Sequence, residues 1–109
     1  MGLFSKLFKK SSQEDNTEKW VYLNGLANVE DNRYQVSSEG RIRRDDKGDW
    51  KYLQGTHDRK RTLVCLGKST YNLGNLVLYG FGKTDSPRGK LVYADGNYHN
   101  NKLDNISLK

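Results

Sequence analysis

The sequence predicts a single α+β domain, in which a small antiparallel β-sheet meander is followed by a hairpin–helix module. The 109 residues are enough for one domain but not for two. Short apolar or alternating segments recur between turn signals over residues 20–53, a pattern typical of antiparallel strands with one buried face. Residues 73–81 instead place apolar side chains at helical spacing.

Four segments predict the strands of the meander. In chain order they are residues 20–23, 34–37, 41–44 and 50–53. Turn signals separate them at Asn24 and Gly25, at residues 38–40 and at residues 45–49. We therefore expect the folded domain to begin at Trp20, and its first part to extend to residue 55.

The second part of the domain, residues 61–109, begins with the most apolar strand segment. Residues 61–66 and 70–72 are predicted to pair across a turn. Residues 73–81 are predicted to form a helix in spite of two glycines. This part of the chain is therefore expected to supply the helix of the α+β fold.

The end of the chain predicts a second hairpin-like segment. Its elements, in order, are a loop at residues 82–89, a strand at residues 90–93 and a turn at residues 95–96. Asn100 or Asn101 is expected to cap a short last helix that contains Leu103 and Ile106.

Residues 1–19 are predicted to be a basic, partly apolar tail with a polar linker, outside the folded domain. Apolar side chains at Leu3, Phe4, Leu7 and Phe8 recur at helical spacing. A helix on a membrane surface or on a partner protein has this pattern, but so does a frayed terminal helix, which is the interpretation we favour. No segment has the length to cross a membrane, and we expect no membrane contact through residues 1–10.

Positive charge is concentrated in the middle of the chain. The formal net charge is +6, and residues 33–68 hold ten Lys or Arg against five acids, a local excess of +5. Such an excess suits a polyanion, because lysine and arginine neutralise phosphates and release counterions. Many soluble proteins are equally basic, so charge alone favours DNA or RNA only slightly. We expect neither a small-molecule substrate nor a cofactor.

Cys65 is the single cysteine of the chain, which excludes an internal disulfide and a zinc site with two or more cysteines. It lies in an apolar strand segment, so we expect a buried structural thiol rather than a nucleophile. A chain without disulfides suits the reducing cytosol, and a cytoplasmic location is expected.

Two strings of residues resemble the parts of a known nuclease family. One string is Trp20 followed by residues 34–43, Tyr-Gln-Val-Ser-Ser-Glu-Gly-Arg-Ile-Arg. It resembles the NUMOD4 motif of phage and intron-encoded homing endonucleases. The other string is residues 61–106, which end in Asp-Gly-Asn-Tyr-His-Asn-Asn-Lys-Leu-Asp-Asn-Ile. It resembles the HNH module that is joined to the NUMOD4 motif in that family. Both strings occur in the family's order. The resemblance implies a phage-type protein with a ββα-metal hairpin–helix module.

The resemblance also implies that the catalytic residues are lost. In that family a histidine draws a proton from water beside a bound divalent cation, and its position before Asp-Gly-Asn is Ala94 here. Tyr93 precedes it, where the family often has Asp or Asn, and a protonated phenol is a poor ligand for Mg²⁺. Gly74 stands where a histidine usually opens the apolar helix. We expect a degenerate module with no catalytic residue, no metal site and no nuclease activity.

Two histidines remain in the chain, and neither is expected to replace the missing base. His57 lies in a charged segment that is predicted to be a turn. His99 lies beyond the turn that follows Ala94 and should face a different direction from the lost side chain. We interpret His99 as an exposed loop residue; a nuclease that uses His99 as an unusual base is the alternative.

The predicted contacts with nucleic acid form one basic strip. Alternation directs Arg41 and Arg43 outward and Ile42 into the core, so that the two guanidinium groups would contact phosphates or base edges. The candidate residues are Ser37, Arg41, Arg43, Lys51, Arg59, Lys60 and Arg61. In the alternative, the charges pair with aspartates that are near in sequence, which are Asp45, Asp46, Asp49 and Asp58. Ser37 would either donate to phosphate or shape its turn.

Aromatic and amide side chains also have two interpretations. Trp50, Tyr52 and Tyr71 would stack bases or, more commonly, pack on the sheet. The asparagines are expected to bond neighbouring backbone in turns and caps; these are Asn97, Asn100, Asn101 and Asn105.

The sequence thus predicts a catalytically inactive HNH-like phage protein that binds nucleic acid, with duplex DNA as the expected form, in the cytoplasm of the host cell. The alternative is a phage-encoded inhibitor or modulator of a host protein, with the degenerate nuclease fold as a scaffold. In that case the exposed aromatics and the apolar start of the tail would form the contact.

Overall fold

The computed structural model describes residues 17–109, so the interpretation of residues 1–10 lies outside the described residues. The described chain is α+β, with antiparallel sheets and one α-helix, as the sequence predicts. Within it, no helix combines the length and the apolar character needed to span a bilayer.

Four strands form the predicted meander. They are β1 (Trp20–Tyr22), β2 (Tyr34–Ser37), β3 (Ile42–Asp46) and β4 (Asp49–Leu53), hydrogen-bonded in that order. Val36 of β2 lies opposite Ile42 of β3, and both are buried. The turn predicted at residues 45–49 is shorter than expected. Lys47 and Gly48 both have positive φ, as a two-residue type I′ hairpin turn requires, so the flanking aspartates belong to the strands.

A second sheet contains β5 (Thr56–His57), β6 (Thr62–Leu66) and β7 (Ser69–Asn72), in the order β5-β6-β7. The sequence did not predict β5, because His57 stands at the start of a charged run. In β6 the alternation buries Thr62, Val64 and Leu66. It directs Cys65 outward, so the prediction of a buried thiol is wrong. An apolar run does not bury both faces of a strand when the sheet packs on one side only.

Helix α1 (Leu73–Gly80) lies against both sheets and carries the centre of the core. Leu76 and Val77 are fully buried, and the side chain of Asn72 caps the helix by accepting from the amide of Gly74. A Cβ on Gly80 would lie 2.7 Å from the Val36 side chain. The helical glycines thus allow close packing, which offsets their low helix propensity.

The C-terminal segment contains β8 (Leu91–Tyr93), a 3₁₀ helix (Leu103–Asn105) and β9 (Ile106–Leu108). The predicted last helix is wrong in two respects. The helical turn starts after Lys102 with no side-chain cap, and Ile106 begins a strand that pairs antiparallel with β8. Pairing with β8 gives partners to backbone N–H and C=O groups of residues 106–108. A short helix continued through these residues would leave its terminal N–H and C=O groups to solvent.

The turn between β2 and β3 joins the two parts of the domain. The amide of Leu103 donates to the carbonyl of Ser38 at 2.9 Å. Gly40 lies against the backbone of Asn101, and a Cβ on it would be 2.7 Å from the carbonyl carbon of that residue. The meander and the C-terminal segment are therefore in direct contact.

Substitution of Gly40 should measure how much this contact constrains the fold. Gly40 and Gly48 both have positive φ, 82° and 93°, but nothing lies within 4 Å of a Cβ on Gly48. We expect Gly48→Ala to lower the free energy of unfolding by about 1 kcal/mol, the cost of the left-handed backbone. Gly40→Ala should cost an additional 1–3 kcal/mol or so because the added methyl overlaps Asn101. Urea denaturation measures both, and equal losses would contradict the contact.

Candidate nucleic-acid interface

One face of the four-stranded sheet carries aromatic and arginine side chains. Register places Tyr22, Gln35, Arg43 and Tyr52 in one row across the sheet. Because side chains alternate, this row points away from the buried Val36. We call the following set the aromatic–arginine face: Trp20, Tyr22, Arg41, Arg43, Trp50 and Tyr52.

Arg43 is enclosed at the centre of this face. Its guanidinium carbon lies 3.8 Å from the ring centre of Trp20 and 4.0 Å from that of Trp50. Nε and Nη2 both donate to the side-chain oxygen of Gln35, at 2.8 and 2.6 Å. Each cation–π contact contributes about 0.5–2 kcal/mol, so Arg43 fixes the two tryptophans in place. It points outward as predicted, but its donors are largely committed.

Arg41 has a partner that sequence proximity did not suggest. Its Nε and Nη2 donate to both carboxylate oxygens of Glu18, at 2.9 and 2.6 Å. The hydrogen bonds from Arg41 hold the pKa of Glu18 below its ordinary value. The same guanidinium lies 5.0 Å from the ring of Tyr52. Arg41 is exposed, but its charge is matched by a carboxylate 23 residues earlier in the chain.

The remaining predicted basic residues divide into paired and unpaired side chains. Arg61 pairs with Asp58 at 2.8 Å and Lys51 lies 3.9 Å from Asp46, so the alternative of pairing with nearby aspartates is confirmed for these two. Arg59 and Lys60 are exposed and form no ion pair with any residue of the range 17–109. Of these remaining residues, the two without an ion pair in this part of the chain therefore lie in residues 58–61, which we call the basic loop.

Two predicted contact residues are buried. Ser37 is fully buried, and its hydroxyl accepts hydrogen bonds from the amides of Glu39 and Arg41. It therefore shapes the turn, which is the second of its two interpretations, and does not face solvent. Tyr71 is 5% exposed, with the guanidinium of Arg88 over its ring, so it packs rather than stacks bases. Tyr52, by contrast, is 48% exposed.

A cleft of about 220 Å³ lies where the aromatic–arginine face meets the second part of the domain. Its polar lining includes Arg41, Tyr52, His57, Thr62, His99 and Asn101. The ring centres of the two histidines are 5.0 Å apart. Sequence reasoning missed this cleft, because its walls come from segments that are far apart in the chain and carry no shared motif.

His99 is exposed, as predicted, but its ring is docked. Its Nε2 contacts the backbone carbonyl of Asp58, 41 residues away in sequence. His57 is placed by β5, where its Nδ1 lies 2.9 Å from the hydroxyl of Thr62. The two histidines thus connect the basic loop to the loop that follows β8.

Other side chains fill the space around Tyr93 and Gly74, two of the positions that the resemblance implies are altered. Burial raises the pKa of the Tyr93 phenol, which donates to the side-chain oxygen of Asn101 at 3.1 Å. A Cβ on Gly74 would lie 2.8 Å from that oxygen and from the side chain of Leu91. Among residues 17–109 no three His, Cys, Asp or Glu side chains are grouped to hold a metal.

The asparagines bond the backbone as predicted. The side chains of Asn97, Asn100 and Asn105 accept from the amides of His99, Lys102 and Asp95, respectively. A hydrogen bond from Asn100 is also the main cause that lowers the pKa of Asp95. These side chains need no ligand to explain them.

Comparison with protein-family models, curated proteins and solved structures finds no match to this chain.

Replacement of Glu18 should change how stability depends on pH. A carboxylate whose pKa is depressed by folding stabilises the fold above its ordinary pKa, near 4.5 for Glu18, and loses that contribution as the pH falls through the folded value. We expect Glu18→Gln to lower the free energy of unfolding at pH 7 by about 1 kcal/mol or less, as for other exposed pairs.

The difference between the native chain and Glu18→Gln should shrink below pH ~4.5, as measured by urea denaturation at pH 7 and pH 3. Glu30→Gln is the control, because Glu30 is an exposed carboxylate that contacts Arg33 at 3.8 Å outside the aromatic–arginine face. A constant difference at both pH values would show that the Glu18–Arg41 pair does not contribute.

Proposed function

We propose that this chain is a catalytically inactive relative of HNH homing nucleases, of phage type, that binds nucleic acid in the host cytoplasm. The observation that carries the proposal is the continuity of the aromatic–arginine face, the cleft and the basic loop. Together these surfaces combine π faces, hydrogen-bond donors and free positive charge, which are the groups that nucleic acids bind.

The binding surface would extend across both parts of the domain. Arg41 and Tyr52 belong to the aromatic–arginine face and also line the cleft. His57 lines the same cleft, and the basic loop follows it directly in sequence. A polyanion on this path would meet Arg59 and Lys60, which form no ion pair within residues 17–109, at one end. Phosphate contacts there would position the chain without reading sequence.

The absence of catalysis is supported by what occupies the family's catalytic positions. Ala94 has no proton-accepting group, and the Tyr93 phenol stays protonated because burial raises its pKa. The space above Gly74, where the family places a histidine, is filled by Asn101 and Leu91. The Asp95 turn and its asparagines are kept, as expected for a scaffold reused for binding.

A host protein is the second candidate partner, because the same face has the composition of a protein interface. Tryptophan, tyrosine and arginine are the residues most enriched at interface hot spots, and Trp20, Trp50 and Arg43 form one stack. Salt separates the two candidates. Nucleic-acid affinity should fall steeply as salt rises, whereas an aromatic-centred protein contact should change little.

Removal of the two unpaired charges should weaken nucleic-acid binding. We expect Arg59→Ala with Lys60→Ala to lower affinity about tenfold at low salt and to reduce the slope of log affinity against log salt by about 1.4–1.8. Fluorescence anisotropy with a labelled 20-mer, used both as a duplex and as a single strand, measures this.

The matched control is Lys83→Ala with Lys90→Ala, which removes the same charge from residues that neither line the cleft nor belong to the basic loop. Equal losses in both double variants would indicate non-specific attraction. If the native chain binds neither form of the 20-mer, the proposed function is wrong.

The native chain should not cut DNA. Incubation with supercoiled plasmid and Mg²⁺ or Mn²⁺ is expected to leave the plasmid intact, because no side chain at residue 94 can accept a proton from water. Metal-dependent nicking that disappears in His99→Ala would refute this and identify His99 as the base.

A further inference from the structure

We propose that the aromatic–arginine face takes single-stranded nucleic acid, with bases stacked on Tyr52 and Tyr22. This inference rests on the nucleic-acid binding proposed above and names the form of the polyanion. The residue pattern alone favoured duplex DNA, whereas the side-chain contacts on this face favour separated strands.

The arginines of this face already have partners and offer few donors to phosphates. Arg43 lies between two tryptophan rings and donates twice to Gln35. Arg41 holds both carboxylate oxygens of Glu18. A duplex presents its phosphates on the outside and hides the faces of its bases. A face whose guanidinium groups are already occupied therefore offers a duplex few contacts.

The face also presents exposed aromatic rings. Tyr22 is 39% exposed and Tyr52 is 48% exposed. Tyr52 lies against Trp20, with ring centres 5.8 Å apart, and Tyr22 lies against Trp50 at 6.4 Å. Each tyrosine is thus supported from the side by a tryptophan that Arg43 holds in place. Bases of a single strand stack on such rings with little regard to sequence.

The two tyrosines stand at opposite edges of the four-stranded sheet, at the ends of the row that contains Gln35 and Arg43. The rings lean inward from the two edge strands, because Tyr52 of β4 lies 5.8 Å from Trp20 of β1 and Tyr22 of β1 lies 6.4 Å from Trp50 of β4. One strand crossing the sheet would therefore meet a continuous group of rings, with a tyrosine at each end and the Trp20–Arg43–Trp50 stack between them.

The aromatic–arginine face leads into the cleft. Tyr52 stands at the mouth of the cleft, which also contains Arg41 and His57. A strand that leaves Tyr52 along the cleft would bring its phosphates toward Arg59 and Lys60. Proteins bind single strands by stacking the bases on aromatic side chains that line a positively charged groove.

The experiment compares a labelled 12-nucleotide thymidine strand with a duplex of equal length by fluorescence anisotropy at one salt concentration, with the full chain. We expect the native chain to bind the single strand at least about tenfold more tightly. Tyr52→Leu should lower single-strand affinity about tenfold and change duplex affinity by less than about twofold. Tyr52→Phe, which keeps the ring, should retain single-strand binding.

Tyr98→Leu is the matched control. Tyr98 is 42% exposed, lies edge-on against Tyr93, and does not line the cleft, so its replacement should leave both affinities unchanged. Circular dichroism checks that each variant keeps the native fold. Because Trp20 and Trp50 are the two tryptophans of the chain, the single strand should also quench tryptophan fluorescence to a plateau at the stoichiometry of binding.

The outcomes distinguish this inference from the proposed function. Duplex binding that equals or exceeds single-strand binding, with no effect of Tyr52→Leu, would overturn the inference and leave nucleic-acid binding intact. Failure to bind either form would overturn both. Single-strand binding with no tryptophan quenching and no effect of Tyr52→Leu would place the strand elsewhere and overturn the inference.

Discussion

Close packing of α1 against its neighbours is the constraint on which the rest of the structure depends. Leu76 and Val77 are fully buried, and Gly80 lets the helix approach Val36 of the meander more closely than any other residue would allow. At the other end of the helix, Gly74 accommodates Asn101 in the same way. One short helix therefore positions both the four-stranded sheet and the C-terminal segment.

This packing leaves the opposite face of the sheet for other uses. The buried side of the meander is already occupied by α1, so the aromatic residues of the other side meet one another and the arginines. The Trp20–Arg43–Trp50 stack and the Glu18–Arg41 pair make that face ordered, and they also commit its guanidinium groups. Basic residues in a sequence are therefore a poor measure of the charge that a surface offers to phosphates.

The C-terminal segment is held together by side-chain hydrogen bonds around Asp95 and around Gly74. Asp95 and the asparagines around it form a closed set of hydrogen bonds, while Tyr93 and Asn101 fill the space above Gly74. The same segment also docks His99 on the backbone of Asp58. The side chains that surround Gly74 and those that line the cleft are thus neighbours.

The sequence by itself determined the features that have local causes. Period-two alternation and turn residues predicted the existence and order of β2, β3 and β4, but not where the hairpin turn between β3 and β4 begins and ends. Side-chain bonding predicted the roles of the asparagines. Tertiary structure decided the outward position of Cys65, the pairing of Ile106 with Tyr93, the Glu18–Arg41 pair and the His57–His99 contact. The physical reason is that these features depend on which faces a sheet buries, and on partners as far apart in sequence as His57 and His99. A local sequence pattern contains neither.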